Sequence, residues 1–248
     1  RKLEVPECIA DAFIGEVFAS GGNGAGLENA LASLTIQAGQ VIDGDRDVFN
    51  SMRRRSIEAL STDLPGDKPV RRPFHWSLEF PEVFAREEQG FDALIGNPPF
   101  SGGRLVGRRF GMTYQEYLKH LRNYVVGSPD LCAYFFLRAF SLLRNSGAFG
   151  LLATQSISET GTRTVCLDRI LESGGSIYRA RSGFPWPGSA AVVVSVVWVA
   201  KSQWGGEFHL DEHRVRKING GLEEDIDIRR PVRLKGLKGT YSQGYNIH

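Results

Sequence analysis

The chain has 248 residues, 42% of them hydrophobic and 23% charged, the ordinary make-up of a globular protein with enough sequence for one large domain or two small ones. A formal net charge of +2 excludes an overall basic character that would by itself announce nucleic acid. The longest apolar run, residues 190–200, is too short to cross a bilayer, no signal peptide is visible, and Cys8, Cys132 and Cys166 form no Cys-x-x-Cys pair. The expectation is a cytoplasmic protein with reduced thiols and no metal centre. Because the sequence starts at Arg1 rather than methionine, it is also expected to be a piece of something longer.

Residues 6–18 set Ile9, Ala10, Phe13, Ile14, Val17 and Phe18 at helical spacing. The stretch Gly21-Gly22-Asn23-Gly24-Ala25-Gly26 then leads into a second helix over residues 27–38. A glycine loop ahead of a helix can cradle a cofactor, and Asp43 follows downstream, but that fingerprint demands a strand before the glycines. Here a helical pattern stands in its place, so the favoured reading is a loop between helices. Residues 43–70 read as a helix with Arg53-Arg54-Arg55 on a solvated face, then an exposed connection through Pro65-Gly66-Asp67-Lys68-Pro69.

The centre of the chain is Phe91-Asp92-Ala93-Leu94-Ile95-Gly96-Asn97-Pro98-Pro99-Phe100. It reads as a short buried strand, residues 91–95, running into a rigid loop, residues 97–100. Two prolines fix φ and remove two backbone donors, and the first forces Asn97 to be extended. Asn97 offers a side-chain acceptor, Pro98 a carbonyl with no competing N–H, and Phe100 a flat apolar face. Two adjacent acceptors beside a ring suit an amino group on a planar partner, or a side-chain amide. Arg104, Arg108 and Arg109 follow in what reads as a mobile glycine-containing loop, where they either contact phosphates or are simply solvated.

Ser128-Pro129-Asp130 reads as a capping signal for a helix over residues 131–144, closed by Asn145-Ser146-Gly147. A buried strand over 148–154, a helix over 162–173 and a strand over 176–181 come next. Gly183-Phe184-Pro185-Trp186-Pro187-Gly188 forms a turn before the β-branched run 191–199, expected to be a strand buried on both faces. His209-Leu210-Asp211-Glu212-His213 lacks a third ligand and reads as surface, although its histidines would share a helical face. Residues 228–238 are the most basic stretch, suited either to a nucleic-acid backbone or to a charged linker.

Asn97-Pro98-Pro99-Phe100 after an apolar strand resembles the catalytic motif of S-adenosylmethionine-dependent amino-methyltransferases. The upstream run from Phe74-His75-Trp76 to Pro81-Glu82-Val83-Phe84 is similar to the lead-in of the large adenine-specific DNA methyltransferases of restriction–modification and phage-defence systems, the type IIG-like group. The resemblance implies methyl transfer from S-adenosylmethionine to N6 of an adenine flipped out of double-stranded DNA. It assigns Asn97, Pro98, Pro99 and Phe100 to catalysis, Phe100 and Phe184 to the target base, and Asn97 and Phe135 to the cofactor, with ordinary core as the other reading of Phe135. Arg104, Arg108 and Arg109 would lie along the DNA backbone, and other domains or subunits of such a system are expected partners.

The fold implied is α/β, the second half of a Rossmann-like methyltransferase sheet with its last strand antiparallel. Residues 74–201 carry the resemblance, between a helical or irregular segment, 1–73, and a basic extension or linker, 202–248. The half holding most cofactor contacts would precede Arg1, leaving the strand at residues 91–95 as an edge, and a target-recognition domain would follow His248. On that expectation the chain by itself is inactive. Two departures stand out: Phe100 replaces the tyrosine of many members, and no glycine-rich cofactor motif follows a strand. Alternative readings are a protein-glutamine or RNA amino-methyltransferase, and a non-catalytic DNA-binding piece.

Overall fold

The computed structural model describes residues 3–20, 24–66, 68–121, 129–189 and 191–225. Gly21–Asn23, Asp67, Ser128, Ala190, the basic stretch 228–238 and the tail after it lie outside the described residues.

Three helices open the chain: α1 (Glu4–Ala19), α2 (Gly24–Ile42) and α3 (Arg46–Leu60). The Asp45 carboxylate caps α3 by accepting from the amides of Asp47 and Val48, each at 3.0 Å. Gly24 and Gly26 lie in the first turn of α2 rather than in a loop, and the element before them is helical. Arg53, Arg54 and Arg55 are exposed, with Arg55 paired to Glu16 and bonded to Gln37. In α1 the buried residues are Cys8, Ala12, Gly15 and Phe18, of which only Phe18 belongs to the apolar pattern read from the sequence. A small residue at Gly15 lets α1 lie close on α3, where an added Cβ would already touch Ala59 at 3.4 Å. Ile9, Phe13 and Ile14 instead line an open apolar cleft of about 1170 Å³ shared with Phe74 and Trp76. None of residues 97–100 borders that cleft.

The lead-in folds into two single turns, α4 (Trp76–Glu79) and α5 (Pro81–Phe84), and is tied to α1 by His75 Nε2 and Asp11 Oδ1 at 2.8 Å. Trp76, Phe80 and Phe84 all meet Phe91 edge-on, at 5.3–5.6 Å between ring centroids. That cluster seats the start of β1 (Phe91–Gly96). Gly90 turns the chain into it with φ +114°, and a side chain there would meet the Leu143 backbone at 2.6 Å.

After β1 come α6 (Gly103–Phe110), α7 (Met112–Leu121), α8 (Leu131–Leu142), β2 (Leu143–Thr154), α9 (Thr160–Arg163) and α10 (Leu167–Glu172). The strands β3 (Ser176–Pro185), β4 (Val193–Ala200), β5 (Phe208–Leu210) and β6 (His213–Val215) complete a six-stranded sheet of order β1-β2-β4-β3-β5-β6. β1 is parallel to β2, and β4 is antiparallel to both its neighbours, β2 and β3. The architecture is α/β with an antiparallel late strand, as expected. Phe136 and Phe149 cross edge-on at 5.4 Å between α8 and β2, at the heart of a core that takes in Val197, Val199 and Ile177.

Several local expectations are corrected. β1 is not buried: it ends the sheet among the described residues, and Ile95 is 91% exposed. Asn145-Ser146-Gly147 does not close a helix, because α8 stops at Leu142 and the three residues lie in an irregular start of β2, between the pairs Phe91–Leu143 and Ala93–Ala148. Gly147 is needed there, since a Cβ would stand 2.6 Å from the Phe91 carbonyl oxygen. The expected helix over 162–173 is broken into α9 and α10 by a turn at Thr164–Cys166. His209 and His213 sit on the hairpin β5–β6, whose turn is Asp211-Glu212 with φ of 47° and 68°, and not on a helix. The sheet therefore continues beyond residue 201, and Ile218 and Leu222 join its core.

Candidate active site

Because β1, β2 and β3 run in one direction, their carboxyl ends share one end of the sheet. Residues 97–100 leave β1 there, a 3-10 turn, Gln155–Ser158, leaves β2, and Phe184 lies near the end of β3. Thr154, Val194 and Phe184 form one row across β2, β4 and β3, so Thr154 and Phe184 are two strand spacings apart, roughly 10 Å. In open α/β sheets this end is where ligands bind.

Within the tetrapeptide Asn97 and Pro99 are exposed, Pro98 is buried and Phe100 is half-buried against the main core. The two prolines stiffen the tetrapeptide from within, and Ser101 anchors it from behind. The Ser101 amide donates to Asp130 Oδ1 at 3.2 Å, and the Ser101 carbonyl accepts from the Leu131 amide at 2.9 Å. Asp130 is itself the N-cap of α8, accepting from the Cys132 amide at 3.1 Å. Its second oxygen accepts from Thr154 Oγ1 at 3.3 Å, and Thr154 and Ser156 hydroxyls meet at 2.7 Å. Loop, helix and strand end are thereby joined through one buried carboxylate. Sequence reading takes Asp130 only as a cap. Its further role depends on partners about thirty residues away in the chain, which no local pattern reveals.

Phe135, in the second turn of α8, is 42% exposed and so is not ordinary core; the residue after it, Phe136, fills that role. Arg104, Arg108 and Arg109 do not lie on a loop. They are exposed on α6, whose Gly103, Val106 and Gly107 face inward, and Arg104 and Arg108 share a face one turn apart. Phe184 is on β3 rather than in a free turn. A bulge between Arg181 and Phe184 re-aims it, with Gly183 at φ +58° and its amide bonded to Ser195 Oγ at 3.1 Å. The Arg181 guanidinium lies 4.3 Å over the Phe184 ring. The bulge is propped from outside by Asp211, which accepts from the Ser182 amide at 2.7 Å and donates its own amide to the Ala180 carbonyl at 3.0 Å.

The chemistry available is that of acceptors and rings. Burial, then the nearby Asp130 carboxylate, pushes the Cys132 thiol up to about 12, and burial raises Cys166 well above its ordinary value, so neither is a nucleophile at neutral pH. Among the described residues no three of His, Cys, Asp and Glu gather as a metal site, and no helix is long and apolar enough to cross a membrane. The tetrapeptide itself offers a side-chain carbonyl at Asn97, a backbone carbonyl at Pro98 and the ring of Phe100.

A type II restriction enzyme and methyltransferase of Methanocaldococcus jannaschii is similar to this chain, 32% identical over 92 residues, which are 37% of the chain and 7% of that protein. The type IIL restriction-modification enzyme MmeI, solved in complex with DNA, aligns with 73% of the chain at 17% identity and a TM-score of 0.49. The M protein of the type I restriction enzyme EcoKI aligns with 79% of it at 13% identity and a TM-score of 0.33. The chain spans only 27% and 44% of those two solved chains. Residues 40–172, more than half of the sequence and inclusive of the Asn-Pro-Pro-Phe loop, its lead-in, α8 and β2, match the Eco57I restriction-modification methylase family, and the chain belongs to that family.

Proposed function

We propose that this chain carries the target-base side of a site-specific DNA methyltransferase acting on N6 of adenine in double-stranded DNA. The observation that carries the reading is the position of Asn97-Pro98-Pro99-Phe100, fixed by prolines and by Asp130 at the carboxyl end of β1. The exocyclic nitrogen of adenine is a poor nucleophile because its lone pair is delocalised into the ring. It is also inaccessible within a duplex, so the base must be flipped at a cost of a few kcal/mol. Asn97 Oδ1 and the Pro98 carbonyl would accept its two protons and favour a pyramidal nitrogen as charge develops, an electrostatic preorganisation that needs no tuned acid or base. Phe100 would stack on the base, and Phe184, braced by Arg181, would close on it from the β3 side. Exposed Arg104, Arg108 and Arg109 on α6 would hold backbone phosphates.

The cofactor that fits is S-adenosylmethionine, which when bound supplies an electrophilic methyl group. Asn97 and the uncovered ring of Phe135, at the same end of the sheet, are the residues of this chain suited to hold it. Their task is orientation, from which much of the acceleration of such a transfer comes. Partners in a restriction–modification or phage-defence system and a cytoplasmic location follow from the same reading. The test is Asn97→Ala in the intact protein, assayed by labelled methyl transfer to unmodified DNA, RNA and protein acceptors. The expected outcome is loss of transfer to DNA adenine with DNA binding retained. Near-parental transfer by the variant, or transfer by the parent only to RNA or protein, would overturn the assignment.

A further inference from the structure

Asp130 does more than cap a helix. The residue is 8% exposed, and its carboxylate receives hydrogen bonds from three separate elements: Ser101 behind the Asn-Pro-Pro-Phe loop, Cys132 in the first turn of α8, and Thr154 at the end of β2. The Asp130 amide donates in turn to Thr162 Oγ1 on α9 at 3.4 Å. A helix cap needs one oxygen and one or two amides of its own helix. The bonds to Ser101 and Thr154 serve no capping purpose. They join the loop that offers Asn97 and Pro98 to the helix that offers Phe135. Reciprocal bonding, the Ser101 amide to the Asp130 carboxylate and the Leu131 amide to the Ser101 carbonyl, leaves that loop little freedom to slide along α8.

We propose that Asp130 is a positioning residue for methyl transfer, a clasp that fixes the register between the base-accepting loop and the first two turns of α8. The proposal rests on the functional reading above and assigns within it what sets the spacing between the two substrates. Both acceptors sit within a few residues of the clasp, and a misplacement of about 1 Å in such a site can cost roughly 100-fold in rate. Thr154 and Ser156 extend the clasp to the strand end, so a strained loop would be felt at β2 as well.

Serine separates the two roles of Asp130. It is as good a helix cap as aspartate, but its hydroxyl sits one bond closer to the backbone and cannot hold the Cys132 and Ser101 amides and the Thr154 hydroxyl at once. In the intact protein, Asp130→Ser is expected to keep α8 amide protection, with a modest loss of urea resistance from the two bonds it gives up. Its kcat should fall on the order of 100-fold while KM for DNA and for S-adenosylmethionine stays within about threefold. Amide exchange at Ser101 should speed up by about tenfold without any ligand present. Asp130→Asn keeps one carbonyl for both amides and lets its NH2 donate to Thr154, so it should restore most of kcat. Unchanged kcat or unchanged Ser101 exchange in Asp130→Ser overturns the proposal. So does a kcat that asparagine fails to restore, because the bonds to Ser101 and Thr154 that asparagine keeps would then not be what sets the rate. Faster Ser101 exchange in the variant, from a parent that methylates no adenine, would overturn the functional reading while leaving the clasp between loop and helix in place.

Discussion

Removing the face of Phe100 while keeping its bulk isolates what the ring does for the base. The side chain is half-buried on the main core, so Phe100→Ala loses about half of the 3–5 kcal/mol typical of a fully buried phenylalanine, about 2 kcal/mol. Phe100→Leu refills most of that volume and should cost about 1 kcal/mol in urea denaturation. Neither variant keeps a π-face. Base–aromatic stacking is worth about 1–3 kcal/mol by such substitution, or roughly 5- to 150-fold in the population of extruded base. The assay pairs methyl-transfer rates with the fluorescence of 2-aminopurine placed at the target position, which brightens when the base leaves the stack. For Phe100→Leu the expectation is a stable protein, DNA binding near the parent and a transfer rate down by at least about fivefold. Tyrosine at this position should transfer normally. A leucine variant with parental rate and parental fluorescence would refute stacking as the role of Phe100 and leave it a core residue.

Replacing Arg104, Arg108 and Arg109 together by alanine should weaken DNA binding evenly across sequences and reduce the slope of log affinity against log salt by about 2–3; an unchanged slope would take α6 off the backbone path. Arg71→Ala removes donors to the carbonyls of Leu60, Thr62 and Phe110 and a cation over the Phe18 ring, and should cost about 2–4 kcal/mol in urea denaturation, against an effect under about 0.5 if these bonds are dispensable. Burial works to raise the Asp63 carboxyl, but the Thr113 amide and Arg71 outweigh it and leave Asp63 below its ordinary 3.8. Its contribution is therefore present above that value and lost as pH falls through the folded one, so Arg71→Ala should flatten the acid limb of stability. Native Cys132 and Cys166 should resist alkylation at pH 8 and react on unfolding. Since burial raises Cys132 from 9.0 to about 12, its share of stability is intact below pH 9 and declines as pH rises towards 12. Rapid native alkylation at either thiol would contradict that burial.

Local features are legible in the sequence. The prolines after β1 announce the loop, helical spacing announces α1, and the run of valines announces β4. Burial is what misleads. The apolar pattern makes Ile95 look like core; the edge position of β1, which the sheet order bears out, comes only from the resemblance. Asn145-Ser146-Gly147 is helix-stopping chemistry, yet here it serves an irregular strand start, since Gly147 must pass close to the Phe91 carbonyl. The arginines after Phe100 look like loop because glycines surround them, but Gly103 and Gly107 are the small, inward side of α6. The short strands β5 and β6 fall below what alternation over three residues can signal. Asp130 joins residues 29 and 24 positions apart, and no reading along one dimension recovers that.

The hairpin β5–β6 bears on how proteins of this kind can be recombined. Its turn residue Asp211 grips the backbone of β3 one residue before the glycine that aims Phe184. A chimera joined at Lys201, where the recognisable sequence ends, would keep every aromatic and every acceptor of the site and still discard the grip. A junction placed after Leu222, the last of the described residues packed into the sheet's core, keeps the grip and with it the bulge that sets Phe184.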